Sequence, residues 1–367
     1  MAKPHKALLG RCLASAALAF AAAALAPAAA PAHAYAAPPP TRQPDATSDD
    51  ALVRTLPGFR RGHAPANGVT LHYVEGGTGD AVLLLPGWPQ TWWSYRKVMP
   101  ALAARYRVIA VDIRGMGGSD KPAGGYDKKT MAADIHALMR HLGLRQAHIV
   151  GHDIGAQVAF SFAANHPEAT RTLTLLDVAH PDEELLKWPL LPRHGTFGPK
   201  IDEDNAYAWW FAFHQVKGLP EDLLEGRAHI EHEWFYRYLL KDEAAIGPHD
   251  RAVYAKAYGS RDAIRAGNAW YQAFTQDIID DGTYARLRMP VLGVAGPGYG
   301  WLKSNLERKA VRPRVVKLVE SGHFIAEEQP QELLRHLFAF LDGSGGSADS
   351  KTDGAHKPTQ HRGASRR

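Results

Sequence analysis

The stretch Ala147-His-Ile-Val-Gly151-His152-Asp153-Ile154-Gly155-Ala156-Gln-Val-Ala-Phe160 constrains the fold more than any other part of the chain. A short apolar run reads as a buried strand, apolar residues at helical spacing follow it, and a five-residue turn with glycine at both ends separates them. A strand that turns straight into a helix brings two backbones together, and glycine is the residue that permits that approach. The rest of the body keeps the same rhythm. Residues 69–74, 81–85, 106–111, 147–150, 173–176, 291–294 and 315–319 read as strands, and 93–104, 131–142 and 331–340 as helices. Short buried strands alternating with helices imply an α/β fold built on a mostly parallel sheet covered on both faces.

Between 180 and 281 the rhythm stops. This segment carries Trp209, Trp210, Phe211, Phe213, Trp234, Phe235, Tyr236, Tyr238, Trp270 and Tyr271, and reads as a helical lid inserted between two strands. Aromatic residues at helical spacing are expected to be mostly lid packing.

The net charge of +5 suggests a polyanion partner until it is located. Residues 1–34 and 343–367 carry +3 each, which leaves a body of −1 and excludes a nucleic-acid footprint. Residues 1–34 have a basic start, an Ala/Leu-rich apolar stretch and Ala32-His33-Ala34, the pattern of a signal peptide. The chain is therefore expected to be secreted or periplasmic, with no membrane association after cleavage. Cys12, the single cysteine, falls in that leader. Residues 35–56 are expected to form a flexible linker and 343–367 a disordered tail, since both lack apolar area to offset ordering. The core then spans 57–179 and 282–342, with the cap at 180–281.

At the centre of the turn stands Asp153. An aspartate there can cap the following helix, or it can act as a nucleophile. A carboxylate displaces at a saturated carbon and gives an ester that water must then cleave. That second step needs a histidine, and Glu320-Ser321-Gly322-His323-Phe324 supplies one after the last strand. His323 needs a carboxylate to hold its tautomer. The loop 295–300 has no acid, whereas Leu176-Asp177-Val178 has one at a strand end, so Asp177 is assigned, with Asp182 as the fallback. The oxyanion formed from the ester wants two backbone donors, expected from Ile154 and from Trp88 in Pro86-Gly87-Trp88-Pro89.

These motifs, with Asp112-Ile-Arg114-Gly115-Met-Gly117-Gly118-Ser119 and Ser321-Gly-His323-Phe-Ile-Ala-Glu-Glu328-Gln-Pro330, resemble the epoxide hydrolase and dehalogenase branch of the α/β-hydrolase superfamily over residues 58–341. The placement of Asp177 and the leader are similar to secreted bacterial epoxide hydrolases of the cystic-fibrosis-channel inhibitory factor type. The resemblance implies an eight-stranded, mostly parallel sheet with a helical cap, a small-molecule substrate, no cofactor, and conversion of an epoxide to a diol. It also implies lid donors for the leaving alkoxide: Tyr271 in Ala269-Trp270-Tyr271-Gln272 as the acid, and a first donor that falls on Trp210. An indole N–H donates a hydrogen bond but no proton, which suits a halide, so a haloacetate or haloalkane dehalogenase is the alternative. Against it, Ile154 stands where haloalkane dehalogenases usually have Trp and haloacetate dehalogenases an Arg. Pro86, where His is more usual, is a further departure.

Other classes are weaker. The glycines near Gly115 form no dinucleotide fingerprint. His229-Ile-Glu231-His232 is expected to be a solvated helix face and not a metal site. A catalytically inactive hydrolase-fold binding protein is the rival of another class, opposed by the intact Asp153, Asp177 and His323. A homodimer through the aromatic lid is a further expectation.

Overall fold

The computed structural model describes residues 45–343. The expected signal peptide with Cys12, the linker up to residue 44 and the tail from residue 344 lie outside the described residues.

Eight strands form one sheet: β1 (Phe59–Ala66), β2 (Val69–Gly76), β3 (Ala81–Leu85), β4 (Arg107–Val111), β5 (Ala147–His152), β6 (Thr170–Leu176), β7 (Val291–Ala295) and β8 (Pro313–Lys317). Their spatial order is β1-β2-β4-β3-β5-β6-β7-β8. The β1–β2 and β2–β4 pairs are antiparallel and the rest parallel. β3 and β5 are buried at every position, as strands covered on both faces must be. β1, not expected from the sequence, is half exposed and joins β2 through Asn67-Gly68, both at positive φ, the turn chemistry of a tight hairpin.

The parallel register sets the site. Leu85, Gly151, Leu175, Gly293 and Val315 are cross-strand partners in one row. The chain leaves β3, β5, β6 and β7 just beyond that row, so Trp88, Asp153, Asp177 and Gly296 emerge along one edge. Carboxyl ends of parallel strands are where such sheets bind ligands.

The helices are α1 (Asp49–Arg54), α2 (Met99–Ala103), α3 (Lys128–His141), α4 (Ile154–Asn165), α5 (Trp209–Gln215), α6 (Leu219–Leu224), α7 (Ala228–Leu239), α8 (Pro248–Ala257), α9 (Arg261–Gln272), α10 (Phe274–Asp281), α11 (Tyr299–Lys309), α12 (Ile325–Glu328) and α13 (Pro330–Gly343). None among the described residues is long and apolar enough to cross a membrane.

Five expectations need correction. The described part of 35–56 is ordered: Ser48 caps α1, Leu52 is buried, and Asp49 accepts from Trp92 Nε1 at 2.8 Å. Residues 93–104 form a 3₁₀ turn (Trp92–Tyr95) and the short α2, not one helix, because the Pro100 ring cannot follow a preceding helical turn. The cap is not helical from residue 180. Until α5 it is irregular apart from 3₁₀ turns at Glu183–Lys187 and Glu203–Asn205, since Pro189, Pro192 and Pro199 with Gly195 and Gly198 break any helix. β8 runs two residues earlier than expected, and Gly343 ends α13.

Candidate active site

The turn after β5 explains its glycines. A Cβ on Gly151 would collide with the Gly155 carbonyl, and one on Gly155 with the Leu85 carbonyl. Strand β5, helix α4 and strand β3 therefore touch through bare backbone. Asp153 between them sits at φ 50°, ψ −122°, a conformation that side chains rarely adopt. It makes no side-chain cap to α4. Its carboxylate faces β3 instead, where Oδ1 accepts from the Trp88 N–H at 2.9 Å. The Ile154 N–H donates to the same carboxylate. Burial pushes the Asp153 pKa up, opposed by His323 and by these two amides.

Asp177, also at positive φ (62°), lies at the end of β6. Its Oδ1 accepts from the Gly296 and Gly298 N–H groups at 2.9 Å each. The acid-free loop after β7 thus supplies the amides that hold the acid, and a Cβ on Gly298 would strike the Asp177 carbonyl. Asp177 Oδ2 lies 2.7 Å from His323 Nδ1. The opposite ring nitrogen, Nε2, is 3.8 Å from Asp153 Oδ2, beyond hydrogen-bond range. Burial alone would lower the His323 pKa, but the Asp177 hydrogen bond and the charges of Asp177 and Asp153 leave it raised. Asp182 is elsewhere, bonded to Asn305 and Arg308.

Asp153, Asp177 and His323 open into a cavity of about 90 Å³. Its walls are apolar and aromatic, with Trp210, Phe211, Phe235 and Tyr271 from the cap, and among the described residues no Lys or Arg lines it. The other expected lid aromatics pack on one another: Trp234 and Tyr238 stack at 4.7 Å, and Trp209 meets Trp234 edge-on at 5.2 Å. Neither the Tyr271 hydroxyl nor the Trp210 indole N–H has a hydrogen-bond partner among the described residues. Burial, then the Asp153 charge, hold the Tyr271 pKa well above its ordinary value. The cap position of Tyr271 is fixed by its neighbour. Trp270 Nε1 donates to the Arg114 carbonyl at 2.9 Å, and Lys128 Nζ donates to the Trp270 carbonyl at 2.7 Å.

A model of the α/β hydrolase fold matches residues 80–208. The soluble epoxide hydrolase of Corynebacterium sp. (strain C12) is 32% identical over 293 residues, spanning 76% of this chain and 96% of that protein. The fluoroacetate dehalogenase of Burkholderia sp. is 31% identical over 304 residues, spanning 77% and 94%. The crystal structure of Cfl2 from Burkholderia cenocepacia superposes with a TM-score of 0.69 at 35% identity, covering 77% and 96%. The chain is an α/β-hydrolase. It belongs to the branch of that family that holds epoxide hydrolases and dehalogenases.

Within this hydrolase several contributors were not legible as motifs. His152 Nε2 donates to the His323 carbonyl at 2.9 Å, and the two rings lie 4.6 Å apart, so the histidine loop rests on the residue before Asp153. Burial, then the His323 charge, keep His152 neutral, its pKa well below the ordinary value. Lys128 and Asp277 tie α3 to α10 at 2.8 Å with no exposure on either side. The expected solvated face at 229–232 is a further correction: Glu231 and His232 are buried against the back of Trp88 because α7 packs that side inward. Among the described residues, the one group of three metal-capable side chains is His136, His166 and Glu168, none of which lines the cavity.

Proposed function

We propose that the protein hydrolyses an uncharged epoxide to a diol through an ester on Asp153. The observation that carries this reading is the split environment of the Asp153 carboxylate. Oδ1 accepts from the Trp88 amide and the Ile154 amide also bonds the carboxylate, while Oδ2 lies on the His323 side without a bond to it. Oδ2 attacks the ring carbon, the carbon–oxygen bond of the ring breaks, and the alkoxide takes the proton of Tyr271. His323 then removes a proton from water, whose oxygen attacks the ester carbonyl carbon. The former Oδ1 carries the negative charge, stabilised by the two amides. The ester C–O bond to the substrate breaks, its alkoxide takes the proton from His323, the carboxylic acid left on Asp153 gives its proton to solvent while the Tyr271 phenolate takes one back, and diol leaves. Asp177 keeps Nδ1–H of His323 pointed at itself, so Nε2 is free to accept.

Cavity chemistry supports an uncharged substrate. A haloacetate carboxylate would enter an apolar cavity beside two carboxylates, with neither Lys nor Arg among the described lining residues to pair it. One observation favours the carbon–halide reading: Trp210 lines the cavity with an unpartnered N–H, a donor suited to halide. Single turnover in heavy-oxygen water tests the mechanism, since oxygen from water must appear in the Asp153 peptide. Turnover without label there overturns it. A panel of aryl and alkyl epoxides assayed beside fluoroacetate and bromoalkanes sorts the substrates; halide release without diol would establish the second reading. The leader at 1–34 supports export to the periplasm or medium, tested by the mature N-terminus of the secreted protein.

A further inference from the structure

Trp88 is the wall between two cavities. On one side is the Asp153 site; on the other is a cavity of about 10 Å³ lined by His214, Glu231, His232 and Asn268 with Tyr258. All four polar residues are buried, and each has a wholly buried polar atom without a partner among the described residues: His214 Nε2, Glu231 Oε1, His232 Nδ1 and Asn268 Nδ2. Orphaned buried groups of this kind are rare, and four around one cavity call for a ligand. The volume is about that of one water, which needs two to four polar partners.

The hydrogen-bond inventory fits. His214 Nδ1 lies 2.7 Å from Asn268 Oδ1, an acceptor only, so Nδ1 carries the proton and Nε2 is left to accept. Asn268 Nδ2 is a donor. The gap from His214 Nε2 to Glu231 Oε1 is 3.6 Å, too long for a direct bond. Burial pushes Glu231 up to about 8, which makes it a hydroxyl donor at neutral pH, and burial lowers His214 to about 4 and His232 to about 3, so both rings are neutral; His232 accepts at Nδ1 in the tautomer that carries its proton on Nε2. Two donors and two acceptors are what one water satisfies. The cluster also holds the catalytic wall. His214 stacks on Tyr271 at 4.5 Å, and His214 and His232 meet the Trp88 ring edge-on at 5.0 and 5.6 Å.

We propose that this cavity binds a single structural water, which donates to His214 Nε2 and His232 Nδ1 and accepts from Asn268 Nδ2 and the Glu231 carboxyl, and that the block so formed positions Trp88 and Tyr271. The hydration site stands by itself, whereas the positioning role rests on the reading of Trp88 and Tyr271 given above. Glu231 is a positioning residue here, remote from substrate. Facing it are His214 on α5, His232 on its own helix, Tyr258 after α8 and Tyr271 on α9, none of them a cation at neutral pH.

Three measurements decide. A high-resolution crystal structure should place one water about 2.7–3.2 Å from the four atoms; direct closure of His214 on Glu231 without it overturns the site. Glu231→Gln keeps a donor, and its melting temperature should exceed wild type by a margin that grows from pH 5 to pH 8. An unfolded Glu loses its proton near pH 4.3 while the native one keeps it to about 8, so rising pH disfavours only the wild-type native state over that window. An equal margin at both pH values overturns the protonated carboxyl. Glu231→Leu, shown folded by circular dichroism, should lose about tenfold to a hundredfold in kcat with KM little changed, while Glu231→Gln keeps kcat within about twofold and removes an alkaline fall near pH 8. Wild-type kcat in folded Glu231→Leu overturns the positioning role. The first two readouts need no substrate, so they decide the site even if no epoxide is turned over.

Discussion

Lys128 and Asp277 face each other at 2.8 Å, both wholly buried, and this pair fastens the helix after Tyr271 to the core helix α3. Lys128 Nζ also donates to the Trp270 carbonyl, so removing the ammonium leaves two buried acceptors unpaired. Lys128→Met should destabilise the protein by about 3–5 kcal/mol in urea unfolding. The Lys128→Met/Asp277→Leu pair should recover most of that loss. A single variant as stable as wild type would show that the pair does not tie cap to core.

The proposed ester mechanism gives His323 its part in the second step alone. His323→Gln leaves Asp153 able to form the ester and removes the base for its hydrolysis, so turnover should fall by about 10²–10⁴. Mass spectrometry should then find the Asp153 peptide heavier by one substrate. Slow turnover without that adduct would place His323 in the first step.

In the proposed mechanism ester hydrolysis needs neutral His323, whose pKa is raised by Asp177 and Asp153 against the effect of burial. Activity should therefore rise with pH through a midpoint above the ordinary 6.5. The esterified Asp153 carries no charge, so that midpoint in single-turnover hydrolysis reports Asp177. Asp177→Asn should move it to lower pH and cut kcat by about 10⁴; an unmoved midpoint would remove Asp177 from the role.

Tyr271→Phe and Trp210→Phe divide the two substrate readings. With an epoxide, Tyr271→Phe should lose about a hundredfold in kcat because the alkoxide has no acid, and Trp210→Phe should change it only a few-fold. With an organohalide, Trp210→Phe should be the costlier change. Equal, small effects on every substrate would mean that neither donor meets the leaving group.

Backbone strain at Asp153 predicts a stability gain on losing it. Asp153→Gly places at φ 50° the one residue that accepts it freely and removes a buried carboxylate, so it should unfold about 1–2 kcal/mol later than wild type while inactive. A variant less stable than wild type would show that the Trp88 and Ile154 bonds outweigh the strain.

The alternation of apolar runs with helical spacing determined the parallel sheet, and the glycines around Asp153 determined a turn in which backbones touch, because both follow from local sterics and burial. The residue order 153, 177, 323 was legible for the same reason: each sits at a strand end or in the loop after the last strand. What strand periodicity does not carry is which distant groups share a space. That Gly296 and Gly298 hold Asp177, that His152 supports His323, that Lys128 pairs Asp277 across 149 residues and that Glu231 and His232 turn inward behind Trp88 were decided by tertiary packing. A polar residue's partner in three dimensions leaves no periodic trace in the chain, and only the folded sheet with its cap brings those groups within reach.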